Sequence, residues 1–361
     1  MLTPILALGA LSSLPPAASA PGGDWLDLDA EIATLAADVA GPGVPAEIGG
    51  RLLVGYFISR DPYLMTGSTE HASGVDLRSA RLHLRGSDGG WAWRVSGELA
   101  DGSMELVDAW LEREIHTTTH FTLGRFKRPV LQAGMVDSEY RLFWDRGNNG
   151  AQTVDRELGL KLGGDYGQFH AIVSAMNDVD GLRDEAFLSA RVEYDLLGEP
   201  FDRYEGAYGA AEGIHLGLAG AAAENGALDN GLYTAYELEL TAGGFFLGAD
   251  LMFFDPSYDM TGGFSNDVDL NSILGTSMAD THPLTVTTAL LFGGSRYELA
   301  GRVEVFDDED ETSRTSVSFS LYDEVLGPRS RILIDYADVT SDDPTFKGDK
   351  VEIGYVFVVA D

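Results

Sequence analysis

The chain has 361 residues, a formal net charge of −34 and no cysteine. So large a negative charge argues against a nucleic-acid-binding role, because such a protein needs a positive face towards phosphates. Without cysteine the chain has no disulfide framework and no thiolate metal site, which suits an oxidising envelope compartment.

The first 47 residues precede any strand pattern. Residues 1–20 are apolar and end in AASA, which has the small-residue pattern of a signal-peptidase site. We therefore predict a signal peptide over 1–20, with a disordered apolar tail as the alternative. Residues 21–47 are predicted to form a short periplasmic helix or linker, because apolar residues repeat there at helical spacing: Leu28, Ile32, Leu35 and Val39.

From 48 to 361 apolar and polar residues alternate, which is typical of strands with two different faces. No stretch reaches the ~18 to 20 uninterrupted apolar residues of a membrane helix. We count sixteen candidate strands, and an even number is what a closed antiparallel membrane barrel requires. The predicted strands are 49–58, 76–86, 90–100, 104–115, 119–127, 157–165, 168–177, 186–197, 212–223, 231–242, 244–254, 283–293, 295–306, 313–324, 329–339 and 348–358.

The connections between these strands alternate in length. If the N-terminus is periplasmic, the longer connections fall outside, and the short glycine-rich ones form tight periplasmic turns. Two connections break this rule, since 101–103 is a short external turn and 198–211 is a long periplasmic segment. The other connections obey it and favour a barrel.

One face of these strands is apolar and the opposite face carries charges, as at Lys350 and Glu352 between Val351 and Ile353. In a soluble sandwich the charged face lies outside. In a porin the charged face lines a water-filled lumen and the apolar face meets lipid. Periodicity alone does not distinguish the two.

Three motifs follow one another: an arginine-rich strand ending in glycine (RSARLHLRG, 78–86), an acidic-Ala-aromatic-Leu strand (DAWLE, 108–112) and GRFKRP (124–129). In this order they resemble the phosphate-selective porin O and P family of outer-membrane porins. The resemblance covers most of the chain from about residue 48 and implies a homotrimer with a preference for anions such as phosphate. With the strand count, it predicts an all-β, 16-stranded antiparallel transmembrane β-barrel with a short N-terminal helix.

Six residues are predicted to line the pore and attract anions. Arg81, His83 and Arg85 share one face of the strand 76–86. Arginine forks suit phosphate and carboxylate, so this row would pass anions from site to site. The alternative is that each base pairs with a carboxylate on a neighbouring strand. The other three residues come from the GRFKRP motif: Arg125, Lys127 and Arg128.

Residues 128–156 form a candidate constriction loop, because Pro129 ends the strand and the insertion is long. Folded into the lumen, the loop would narrow the pore and set its charges opposite wall residues. The alternative is an ordinary external loop. Its candidate constriction residues are Asp137, Glu139, Arg141, Asp145 and Arg146. Four further bases are placed on the lumen side by weaker alternation: Arg94, Lys161, Arg191 and Arg302.

The predicted function is a passive outer-membrane porin, set in outer-membrane lipid, that conducts small hydrophilic solutes and inorganic ions. A general or cation-preferring porin is the first alternative, because only four lysines and a net charge of −34 suit a phosphate-selective pore poorly. A non-conducting structural barrel or adhesin and a secreted soluble β binding protein are the others. The chain has no catalytic motif and no metal-ligand spacing, so we predict no enzyme activity and no cofactor.

Overall fold

The computed structural model of the chain describes residues 46–59, 72–100, 102–154, 156–177, 186–198, 205–209, 212–224, 232–255, 280–307, 311–342 and 348–359. The predicted signal peptide and the apolar stripe of the predicted N-terminal helix lie outside the described residues.

Sixteen antiparallel strands in the described part of the chain form one closed barrel, in which each strand pairs with its neighbours in chain order and the last pairs with the first. This confirms the predicted fold class. The strands are β1 Ala46–Ser59, β2 Ala72–Asp88, β3 Trp91–Glu98, β4 Glu105–His116, β5 Thr119–Lys127, β6 Arg156–Tyr166, β7 Phe169–Asn177, β8 Ala186–Gly198, β9 Gly213–Glu224, β10 Leu232–Ala242, β11 Phe245–Phe254, β12 Leu284–Phe292, β13 Tyr297–Val305, β14 Ser313–Asp323, β15 Gly327–Thr340 and β16 Gly348–Val359.

Helical structure in the described residues lies between β5 and β6. It comprises α1 (Gln132–Met135), a 3-10 turn (Ser138–Tyr140) and α2 (Asn148–Ala151). No helix among the described residues is long and apolar enough to span a membrane.

The strands carry their apolar side chains outwards. On β16, Ile353 and Tyr355 are 48% and 43% exposed, whereas Lys350 and Glu352 are 7% and 1% exposed. A soluble sandwich would bury the first pair and expose the second. An exposed apolar wall around a charged interior is the arrangement of a barrel whose outer face meets lipid.

Tight turns occupy one end of the barrel. Gly89 and Gly90 connect β2 to β3 with φ angles of 56° and 80°. Two successive positive φ angles define the hairpin turn that matches the twist of the flanking strands, and glycine adopts them without steric cost. We call this end the turn end.

Candidate functional site

The chain after β5 turns into the barrel. Residues 128–154, which we call the inner loop, contain α1, the 3-10 turn and α2. Val130, Leu131 and Leu142 are fully buried, and Trp144 is 2% exposed. Outside the barrel these side chains would meet water, so the inner loop lies in the lumen.

Apolar contacts hold the inner loop against the inner wall from β7 round to β16 and β1. In the described residues, one cluster contains Val130 and Leu131, a second contains Leu142 and Phe143, and a third contains Trp144. Burying five such side chains contributes roughly 10 kcal/mol, which offsets part of the entropy lost on ordering the loop. Their wall partners include Phe187, Tyr233 and Met252 in the first cluster, Phe246, Ala289 and Ala300 in the second, and Leu53, Leu333 and Val356 in the third.

The acidic residues of the inner loop contact cations on the inner wall. Asp137 lies 2.6 Å from the Lys127 ammonium and 3.5 Å from the Arg156 guanidinium. These belong to a larger set of cations on β1, β2, β3, β5, β6 and β16. We call this set the basic wall: Arg51, Arg78, Arg81, Arg94, Lys127, Arg156 and Lys350.

The other two predicted loop acids make similar contacts. Glu139 pairs with Arg51, and both side chains are 5% exposed. Asp145 lies 2.6 Å from Arg78 and 3.2 Å from Lys350. The sequence predicted that loop and wall charges face each other across a pore. In the structure, direct ion pairs join the loop to the wall instead.

The pKa values of two loop carboxyls follow from these contacts. Burial alone would raise the pKa of Asp137, but Lys127 and then Arg156 lower it well below its ordinary value. Burial likewise opposes ionisation of Asp145, while Lys350 and Arg78 hold its pKa well below the usual range. Both groups are therefore ionised at neutral pH.

The two predicted loop arginines are both buried. Arg146 donates to the backbone oxygens of Ala133 and Val136, at 2.6 Å each. Arg141 is 4% exposed, and its backbone oxygen accepts a hydrogen bond from Arg331 on β15. These contacts fix the backbone of the inner loop.

The three predicted residues of β2 face inwards. Arg81 is 8% exposed, and its Nε lies 3.2 Å from Glu98. Its Nη1 has no hydrogen-bond partner among the described residues. His83 is 5% exposed. Arg85 lies further towards the turn end, where its Nε contacts Glu47 at 2.8 Å.

The three predicted residues of the GRFKRP motif lie in three different surroundings. Arg125 shares the outer face of β5 with Leu123, and its Nη1 donates to the Leu106 oxygen at 2.9 Å. Lys127 ends the strand, where the chain turns inwards, so its ammonium reaches the inner loop. Arg128 is 1% exposed and stacks on the Phe187 ring at 4.2 Å. The structure thus places Arg125 outside the lumen, because strand alternation groups it with Leu123.

A second segment enters the lumen from the turn end. Residues 205–209 belong to the long β8–β9 connection that broke the predicted alternation. The Glu205 N–H donates to the Tyr140 oxygen at 3.1 Å, and the Ala207 N–H donates to Glu298 at 2.6 Å. Tyr208 packs on Tyr322 with ring centroids 4.2 Å apart. Sequence reasoning missed this segment, because its residues show no period.

The wall from β2 to β6 keeps an accessible inner surface. A cavity of about 640 Å³ lies at the turn end between the β2–β3, β4–β5 and β6–β7 turns. Glu112 lines this cavity, and its side chain is 30% exposed. Further along the inner face, the Lys161 and Arg94 side chains are 22% and 18% exposed. A row of charged groups therefore leads from the cavity towards the basic wall.

Sequence reasoning also missed Arg51, Arg78 and Lys350 as partners of the loop. Lys350 alternates with the apolar face of β16, so strand period could have identified it. Arg78 could not be found in this way, because the register irregularity at Leu53 and Val54 leaves Arg78 without a partner residue on β1 and interrupts the alternation there. No group of three or more His, Asp or Glu side chains in the described residues is arranged to hold a metal ion.

No protein-family model matches the chain, and no curated protein sequence matches it. Solved barrels do match. A loop-deletion mutant of OmpT, an outer membrane protein of Vibrio cholerae, is 11% identical, with 87% of this chain and 99% of that chain covered and a TM-score of 0.59. The anion-selective porin of Comamonas acidovorans is 13% identical, with coverages of 87% and 99% and a TM-score of 0.59. OmpF of Salmonella typhi, in complex with daunomycin, is 11% identical, with coverages of 88% and 98% and a TM-score of 0.58. At these identities the likeness shows the fold, and the fold of this chain is that of the outer-membrane porins.

Proposed function

We propose that the protein is a passive outer-membrane porin that conducts small hydrophilic solutes and inorganic ions. The observation that carries the proposal is the row of partly exposed charged side chains on the inner wall, from Glu112 through Lys161 to Arg94. Charged groups inside a barrel stay exposed only where water reaches them. The exposed apolar outer wall supports placement in a bilayer.

The charges of the inner wall support a weakly selective pore. Lys127, Arg78 and Arg51 each pair with an inner-loop carboxylate, so their charges are largely compensated. Two partly exposed guanidinium groups favour a modest anion preference. The Arg81 and Arg94 side chains are 10% and 18% exposed, and the Arg94 Nε lies 4.0 Å from Asp108. Guanidinium groups suit the oxygens of passing anions.

The zero-current potential in a planar bilayer under a potassium chloride gradient tests the proposal. Wild-type protein should form conducting steps with a small anion preference. Asp137→Asn should raise the chloride-to-potassium permeability ratio by about two- to five-fold, because it removes the counter-charge of Lys127 and leaves Arg156 with Asp108 alone. Asp137→Glu keeps the charge and should keep the ratio.

An absence of conductance from folded wild-type protein would instead support the non-conducting barrel. A potential on the cation side would support the cation-preferring alternative. Block of the chloride current by added phosphate would support the narrower phosphate preference of the resemblance. The homotrimer stays a prediction of that resemblance, and native mass spectrometry of the detergent-solubilised protein tests it.

A further inference from the structure

A second charged cavity lies on the other side of the inner loop. Its volume is about 60 Å³, counted as the space open to the centre of a water-sized sphere. One water molecule needs ~10–15 Å³ on such a measure, so the cavity has room for several. It lies between α1, the segment 205–209 and the inner faces of β10 to β13. Its charged lining residues are Arg141, Arg146, Glu205, Glu237, Glu239, Asp250 and Arg302.

Two carboxylates of this cavity stand directly opposite each other. Glu237 on β10 pairs in register with Asp250 on β11. Like charges at such a position repel each other. Glu237 is compensated, because it forms an ion pair with Arg191 and accepts a hydrogen bond from the Gln132 N–H.

Asp250 has no such compensation. Its side chain forms no hydrogen bond or ion pair with any described residue, although Asp250 is only 8% exposed. The nearby Arg302 is engaged elsewhere, since it contacts Glu304 at 3.1 Å and the Asp145 oxygen at 3.0 Å. Ionising a buried carboxyl group without a partner is costly, and a bound positive charge in the cavity would offset that cost.

We propose that this cavity binds the ammonium group of a small solute, with Asp250 as the counter-charge. An ammonium group donates up to three hydrogen bonds, which the oxygens around Asp250 and Glu237 can accept. The volume admits a solute of about five non-hydrogen atoms, judged by the waters it could hold. Arg302 Nε and Nη1 are engaged, but its Nη2 has no hydrogen-bond partner among the described residues and can donate to a carboxylate on the same solute. The proposal rests on the proposed function, because the solute reaches the cavity through the lumen.

Equilibrium dialysis of detergent-purified protein against radiolabelled methylammonium tests the proposal without any conductance. One saturable site per chain is expected. Asp250→Asn should weaken binding by about tenfold or more, because it removes a charge-assisted interaction. Asp335→Asn is the matched control, since Asp335 is also a buried inner-wall carboxylate, 5% exposed, but does not line the cavity. Heat-modifiable gel mobility verifies that each variant has folded.

A second variant tests the same site without changing its charge. Thr287→Met fills the cavity without altering its charge, and it should also abolish binding. Competition by glycine, with none by acetate, would support an ammonium site. Unsaturable methylammonium binding, equal displacement by potassium, or wild-type affinity in folded Asp250→Asn would each overturn it. Binding without conductance would refute the porin function and support the ammonium site. Conductance without binding would support the porin function and refute the ammonium site.

Discussion

At the scale of single residues, the lumen is organised by ion pairs of very different exposure. Arg51 and Glu139 are both 5% exposed, whereas the Arg85–Glu47 pair is 34% and 66% exposed. A buried charge that loses its partner carries the full cost of desolvation, and an exposed one is resolvated. Equal-looking pairs should therefore respond differently to the same substitution.

Glu139→Gln should lower the free energy of unfolding by about 3 kcal/mol, because it removes the nearest counter-charge of the buried Arg51 guanidinium and leaves only Glu98 at 3.9 Å. Glu47→Gln is the matched control and should change it by about 1 kcal/mol or less. The temperature at which the folded gel band disappears measures both. Equal effects of the two variants would show that the inner loop is not seated on the basic wall.

The pH dependence of stability should report Asp145. Its pKa is depressed in the folded protein, so its contribution is fully present above the unfolded value of about 3.9 and disappears as the pH falls through the folded pKa. The melting temperature of wild type minus that of Asp145→Asn should thus be constant from pH 7 to about 5 and shrink only at lower pH. A difference that vanished by about pH 6 would mean that Arg78 and Lys350 do not hold the carboxylate.

At the scale of elements, strand period predicted the sixteen strands well, because each strand has one apolar and one polar face. β2 begins at Ala72, four residues before its predicted start at 76, which is the largest displacement of a boundary. The same alternation also predicts that Arg125 faces outwards, because Arg125 follows the outward-facing Leu123 by two residues. It could not reveal the segment 205–209, because contacts with Tyr140 and Glu298 determine its path.

Single cysteines should test the inner and outer faces of β4, since the chain has no cysteine of its own. Glu112 faces inwards and pairs with Thr122, whereas Leu111 faces outwards and is 39% exposed. Glu112→Cys should react with a charged, water-soluble thiol reagent in a bilayer and change the current. Leu111→Cys should remain unmodified in the lipid. Reaction at Leu111→Cys and not at Glu112→Cys would show that the inner and outer faces of β4 are the reverse of those seen in the structure.

At the scale of the whole molecule, the seam between β1 and β16 links barrel closure to loop seating. Gly55 and Gly354 stand opposite each other in this seam. A Cβ on Gly354 would collide with the Trp144 side chain and with the Val54 oxygen. The absence of a side chain at Gly354 thus makes room for the Trp144 indole where β1 pairs with β16.

Gly354→Val should therefore prevent stable closure, since the added side chain cannot coexist with both Trp144 and the backbone of β1. The expected result is loss of the fast-migrating folded band in unheated gels and loss of insertion into bilayers. Gly301→Val on β13 is the control, because the nearest atom to a Cβ there is Thr288 Oγ1 at 3.8 Å, and its folding should be normal. The double variant Gly354→Val, Trp144→Ala removes the collision with the indole and keeps the one with the β1 backbone. Rescue by the second change would assign the defect to the loop, and persistent misfolding would assign it to the pairing of β1 with β16.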